Sequence, residues 1–154
     1  MELHYLGNQN LLQEYKIGFL CSRKVPAEVI LKTYDWAIEQ REKGVCVVSG
    51  FHSKIEKDVF HYLLNGEQPI IIVLARGMFK RVPACLQKEV EKSRLLIISP
   101  FQDSNRTMIK ENAIIRNKYI IEILDDLKVP YVSKNGLLNK LLKNKIRLPN
   151  KNYK

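Results

Sequence analysis

The stretch Gly44–Glu56, GVCVVSGFHSKIE, decides how the chain is read. Gly44 suits the left-handed residue that closes a helix. Val45–Val48 is apolar, β-branch-rich and too short for a helix, so it reads as a buried strand. Ser49-Gly50 closes that strand. Ser53, with Glu56 three residues on, has the spacing of a capping box, which starts a new helix. Helix end, strand, polar loop and capped helix in so few residues define a βα unit. Because the strand is apolar throughout, its sheet is expected to be covered on both faces.

The same rhythm extends both ways. Ile17–Cys21 reads as a first strand, closed by Ser22-Arg23-Lys24. Pro26–Lys43 reads as a helix, with proline in its first turn and Val29, Ile30, Thr33, Trp36 and Ala37 on one face. The capped helix places Ile55, Val59, Phe60, Leu63 and Leu64 together until Asn65-Gly66 breaks it. Pro69–Leu74 is the third strand, followed by a turn at Arg76-Gly77 and a helix over about Val82–Ser93. Leu95–Ile98 is the fourth strand, ended by Ser99-Pro100. A polar loop, 101–107, leads to a long helix over about Ile109–Lys128. A short fifth strand is expected at Tyr131-Val132 and a last helix at Leu137–Lys145. Repeated strand–helix alternation specifies an α/β fold: a doubly wound, mainly parallel sheet in a three-layer α/β/α arrangement. The expected divisions are a lead-in segment (1–15), the α/β domain (16–130) and a basic C-terminal segment (131–154).

Such a sheet gathers ligands at the carboxyl ends of its strands. There the sequence puts Ser22, Arg23 and Lys24; Ser49, Gly50 and, just beyond, Lys54; then Arg76 and Gly77. Glycine admits an anion close to backbone N–H groups, helix N-termini add partial positive charge, and Lys and Arg pair directly with phosphate. Polar loops alone would account for any one of these. Three such loops at one sheet edge point to a phosphate-bearing ligand. In the long helix, Arg116-Asn117-Lys118 interrupts an apolar stretch, and spacing alone fits a solvated stripe as well as a cleft. Phe51, Phe79 and Phe101 are placed to stack on bases or to pack.

No catalytic constellation stands out. The dinucleotide and P-loop glycine fingerprints are absent. His52 and Cys21 have no identifiable partner in the sequence, and Glu56 reads as a cap before it reads as a base. No catalytic residue, metal site or cofactor is expected. The three cysteines (Cys21, Cys46, Cys85) lack metal or disulfide spacing. The formal charge is +10, and of the 26 Lys/Arg and 16 Asp/Glu the segment 131–154 holds seven cations and no carboxylate. That excess serves either solubility or contact with an anionic partner. No apolar run approaches the ~18 residues of a membrane span, and the N-terminus lacks signal-peptide character, so a cytoplasmic protein with no membrane partner is expected.

These motifs resemble, in order, those of the DNA-processing protein A (DprA/Smf) family. LHYLGNQNLL (residues 3–12) is similar to its segment before the first core strand. In KIGFLCSRK (16–24), Ser22 and Arg23 match a strand ending Gly-Ser-Arg, with Cys21 in place of the glycine. In 44–56, Ser49, Gly50 and Ile55 match Ser-Gly-Leu-Ala-Arg-Gly-Ile-Asp, Glu56 stands for the acid, and Ser53 and Lys54 replace the internal Arg and Gly. In IIIVLARGMFKRVP (70–83), Gly77 and Pro83 match. In NAIIRNKYI (112–120), Arg116 and Asn117 match and Lys118 keeps the charge. The resemblance covers about residues 3–120. It implies a Rossmann-like domain that binds single-stranded DNA, or a nucleotide, without catalysis. Its phosphate-binding residues would be Ser22, Arg23, Lys24, Ser49, Gly50, Lys54, Arg76, Gly77, Arg116, Asn117 and Lys118. It also implies a recombinase partner and a homodimer. The family's later strands are expected to have no counterpart after residue 124, as in a reduced or divergent member. A nucleotide sensor, or a nucleotide or nucleoside hydrolase using Glu56 or His52, remains open. The Pro-Gly-Gly-x-Gly-Thr signature of the phosphoribohydrolase branch is absent.

Overall fold

The computed structural model describes residues 2–144 and 152–153. Among these residues seven strands form one sheet: β1 (His4–Gly7), β2 (Lys16–Phe19), β3 (Cys46–Ser49), β4 (Ile70–Val73), β5 (Leu95–Ser99), β6 (Asp126–Val129) and β7 (Asn152–Tyr153). Five α-helices accompany them among the described residues: α1 (Ala27–Lys43), α2 (Lys54–Leu64), α3 (Ala84–Glu91), α4 (Lys110–Ile123) and α5 (Leu137–Asn144). The sheet order is β1-β5-β4-β3-β2-β6-β7, parallel except for β1 against β5.

The expected mainly parallel, doubly wound sheet is therefore present. Every residue of β3, β4 and β5 is buried, as a sheet covered on both faces requires. One apolar cluster joins Phe19, Val47, Ile70, Ile72 and Ile97 to Ala37 of α1, Val59 and Leu63 of α2, and Leu86 of α3. The other joins Val48, Ile71, Val73, Leu96 and Ile98 to Tyr119 and Ile120 of α4 and Leu138, Leu141 and Leu142 of α5. Alternate residues of each strand thus feed opposite layers. The chain runs outward from β2 to β5, then α4 carries it back along the other face to β6 on the far side of β2. The order reverses between β2 and β6, and in open α/β sheets that crevice is where ligands bind.

The capping box is formed: Ser53 Oγ accepts from Glu56 N–H and the Glu56 carboxylate accepts from Ser53 N–H. Gly44 is left-handed at the end of α1 (φ 74°). Three expectations change. The lead-in residues supply β1, whose antiparallel register sets His4 beside Ser99. The long helix stops at Ile123, not Lys128, because Leu124 and Asp125 turn the chain back to the sheet. There Lys16 N–H donates to Asp125 Oδ2 (2.9 Å), and the Lys16 ammonium pairs with the same oxygen (3.2 Å). The strand expected after the long helix therefore comes sooner. It is Asp126–Val129 rather than Tyr131-Val132, although Ser22 N–H donates to Tyr131 O (3.0 Å) and so carries the pairing past the end of β2. The expected last helix is described over Leu137–Asn144, and Lys145 lies outside the described residues.

Candidate nucleic-acid interface

The carboxyl ends of β2, β3 and β6 open into a cavity of about 480 Å³, which lies at the strand-order reversal. Ser22, Arg23 and Lys24 enter from the β2–α1 loop and His52 and Ser53 from the β3–α2 loop. Lys110, Ala113, Arg116 and Asn117 enter from one face of α4, at helical spacing. Ser133 and Gly136 close it beyond β6. Ser133 N–H donates to Ser22 Oγ (2.7 Å), which fixes the hydroxyl oxygen and leaves its proton free to be donated.

A smaller cavity of about 240 Å³ adjoins it at β3 and β4. It is lined by Phe51, Phe60 and Phe79 with Lys57 and Arg76, and shares Arg116 and His52 with the first. The Arg76 guanidinium lies 5.0 Å from the Phe79 ring centroid, a cation–π distance. Phe51 occupies the left-handed region (φ 48°), a conformation costing about 1–3 kcal/mol for a non-glycine residue that is often found at functional sites.

Arg116 is the common wall. It is only 6% exposed, on the helix face that also buries Asn112, Tyr119 and Ile120. Its Nε–H donates to Asn117 Oδ1 (3.1 Å), and among the described residues its Nη groups have no hydrogen-bond acceptor. The other buried arginine among the described residues, Arg94, differs. It donates to the carbonyls of Leu63, Leu64 and Gln68 and to Glu89 Oε1, and so ties β5 to the end of α2. Arg94 is satisfied by the fold, whereas Arg116 keeps donors for something in the cavities.

The electrostatics agree. Burial lowers the Arg116 pKa from its usual value, Glu56 opposes this, and Arg23 adds to the lowering; arginine nonetheless stays protonated in proteins. Partial desolvation lowers the His52 pKa, reinforced by Arg116, Lys57 and Arg23 and opposed by Glu56. Arg23 and Arg116 thus repel each other across a space an anion would relieve. Glu56 Oε1 accepts from both His52 N–H (2.9 Å) and Ser53 N–H (3.1 Å), so it caps α2 and is poorly placed as a base. Cys21, 8% exposed, has its thiol pushed up to about 12 by burial first and then by Glu56, which leaves no nucleophilic thiolate near neutral pH. Among the described residues, no three His, Cys, Asp or Glu side chains are grouped to hold a metal.

The sequence-derived site residues separate into groups. Ser22, Arg23, Lys24, Arg116 and Asn117 meet in the large cavity, while Gly50 and Arg76 join Arg116 in the small one. Ser49 is fully buried, and its hydroxyl accepts from Phe51 N–H (3.2 Å). Gly77 is packed under the 101–107 loop, with its N–H donating to Asn105 O (2.6 Å). Lys54 points outward and pairs with Asp58 (2.8 Å). Lys118 is exposed and lines neither cavity. Lys57, Lys110 and Ser133 were not anticipated. Lys110 was legible as the residue two turns before Asn117 on one helix face, but no local signal marks Ser133, whose partner is far away in sequence.

Residues 1–129 match the sequence profile of the DNA recombination-mediator protein A family. The chain belongs to that family. Among solved structures, this DNA recombination-mediator protein A family member is similar to the DNA processing protein A of Helicobacter pylori, studied for its single-stranded DNA binding mode. The TM-score is 0.73 and the identity 19%, over 92% of this chain and 67% of that one. DNA processing protein A of Streptococcus pneumoniae gives 0.69 and 19%, over 92% of this chain and 51% of that one. The family member thus spans about two thirds and about half of these two proteins. A molybdenum cofactor binding protein from Rippkaea orientalis shares the fold at a TM-score of 0.55 and 12% identity, over 86% of this chain and 72% of that one. No curated protein sequence matches the chain.

Proposed function

We propose that this chain is a non-catalytic single-stranded DNA-binding protein that holds phosphates in the large cavity. The observation that carries this reading is Arg116: a buried, permanently charged side chain whose Nη donors face two cavities with no acceptor among the described residues. Arg23, Lys24, Lys110 and the Ser22 hydroxyl surround the same space, and membership of the family supplies DNA as the ligand class. Asn117 orients Arg116, and Gly50 and Arg76 serve the smaller cavity. Ser49 and Gly77 shape the loops, and Lys54 and Lys118 add charge around the site. The α/β domain (16–130) would carry the binding, with 1–15 leading in and the basic segment 131–154 adding nonspecific contacts. By family likeness the setting is the cytoplasm and the partners are a recombinase and a second copy of the chain. No helix among the described residues is long and apolar enough to cross a membrane.

Fluorescence-anisotropy titrations with single- and double-stranded oligonucleotides at two salt concentrations test this. Binding should favour single strands and weaken with salt by about 0.7 log units per phosphate contact, and Arg23→Ala should weaken it across sequences. No binding of single strands at low salt would overturn the reading. The cavity volume supports a second reading, a small-nucleotide binder, because about 480 Å³ lies within the ~300–1,000 Å³ of small-molecule sites. Saturable calorimetric binding of a mononucleotide that oligonucleotides fail to displace would favour that alternative.

A further inference from the structure

A third opening of about 470 Å³ lies beyond the small cavity, lined by His4, Tyr5, Phe79, Lys80, Asp103 and Arg106. It exists because β1 is antiparallel. His4 sits opposite Ser99, so the start of β1 lies at the carboxyl edge of β5, beside the other two cavities. The loop after β5 is held there by Arg106, whose Nη2 donates to Met78 O (2.6 Å) and whose Nε donates to Asp103 O (2.7 Å).

The three openings are contiguous. The first and second share His52, Ala75, Met108 and Arg116, and the second and third share Phe79. In sheet order they run from β6 and β2, through β3 and β4, to β5 and β1. Eight Lys/Arg side chains line them against two carboxylates, Glu56 and Asp103, and Glu56 is committed to the cap of α2. A row of cations interrupted by the Phe51, Phe60 and Phe79 rings is the arrangement that tracks a single-strand backbone and stacks its bases.

Resting on the single-strand reading above, we infer that the site is one continuous track along the sheet edge from β6 to β1, with Lys80 and Arg106 forming its far end. Strands about 4.8 Å apart make the path from β6 to β1 about 24 Å long. At about 3.4 Å per stacked nucleotide that length holds about seven nucleotides, and roughly half as many when extended. The ligand is therefore an oligonucleotide of several residues, and a mononucleotide fills only a part.

Oligothymidylates from two to twelve nucleotides, titrated at low salt against the full chain and the surface variant Lys80→Glu, test this. Affinity should climb with length and level off at about four to seven nucleotides. Lys80→Glu should weaken the longer oligonucleotides about tenfold and lower their salt slope by about 0.7, while trinucleotide affinity stays within about twofold. Arg106→Gln should act in the same direction. If a trinucleotide binds as tightly as a dodecamer, or if Lys80→Glu leaves the length dependence intact, the track is wrong and single-strand binding stands. If no length binds, the functional reading fails and the track fails with it.

Discussion

The Arg116 guanidinium lies against the backbone of Gly50. A methyl group at Gly50 would stand 2.5 Å from Nη1 and 2.6 Å from Cζ, inside any allowed contact. The glycine that in sequence looked like an opening for phosphate is the seat of an arginine. In the proposed site the anion-binding group is therefore the side chain, and Gly50 sets how deeply it lies between β3 and α4.

Gly50→Ala should therefore act on binding through Arg116. The backbone at Gly50 is not left-handed, so alanine is conformationally allowed and only the flexible end of Arg116 must move. Stability should change by less than about 1 kcal/mol, whereas oligonucleotide affinity should fall about tenfold. Arg116→Met should cost about tenfold to a hundredfold, the range for losing charge-assisted hydrogen bonds of about 1.5–3 kcal/mol. If the two act on one group, the double variant binds no worse than Arg116→Met alone. Additive losses in anisotropy titrations would show that Gly50 works independently.

His52 should give the proposed site a pH dependence. Its pKa is lowered in the free fold, first by desolvation and then by Arg116, Lys57 and Arg23. Below about 6.5 the unfolded chain takes up a proton that the fold refuses. This residue's share of stability is thus intact above that pH and is lost as pH falls through the folded pKa. A bound phosphate offsets the three cations and raises the His52 pKa. Binding should then take up a fraction of a proton and tighten from about pH 8 to about pH 6. Calorimetry in buffers of different ionisation enthalpy measures that uptake, and His52→Gln should abolish it. Equal uptake by the variant would assign the proton elsewhere.

Much of this was legible in sequence, for stated reasons. β3, β4 and β5 are apolar throughout because they are covered twice, and Ser53 and Glu56 announce a helix by direct hydrogen bonding. β6 was hidden because Ile120, Ile121, Leu124 and Leu127 continue a helical spacing, and because its alternation of half-buried Asp126 and Lys128 with buried Leu127 and Val129 is too short to oppose it. The triplet Arg116-Asn117-Lys118 was ambiguous because a helix turns about 100° per residue. It sends Arg116 inward, Asn117 to the rim and Lys118 to solvent. The third opening was not legible, since it depends on the antiparallel register of β1.

The thiols offer a check on the cavity wall. Burial is the main cause that pushes Cys21 and Cys46 up to about 12, while Cys85 is exposed on α3. A disulfide reagent at neutral pH should modify one thiol quickly, and Cys85→Ser should remove that phase. All three should react in denaturant. Modification of Cys21 at a rate comparable to Cys85 would mean that the end of β2 is more open than described, and would revive Cys21 as a nucleophile.

The basic segment does more than carry charge. Leu138, Leu141 and Leu142 of α5 are buried against the α4 layer, and Ser133 holds the Ser22 hydroxyl. Each buried leucine contributes about 1.5–3 kcal/mol, against a typical total of about 5–15 kcal/mol for a domain. A chain ending at residue 130 should therefore lose most of its cooperative unfolding, seen as a broad urea transition by circular dichroism. Its loss of DNA binding would report unfolding rather than missing contacts. Replacing Lys134, Lys140 and Lys143 with glutamine separates the two effects, since all three are exposed. That triple variant should keep the wild-type unfolding midpoint. If the segment contacts DNA, it should also lower the salt slope by up to about 0.7 per lysine. An unchanged slope would assign these lysines to solubility and leave α5 a packing role alone.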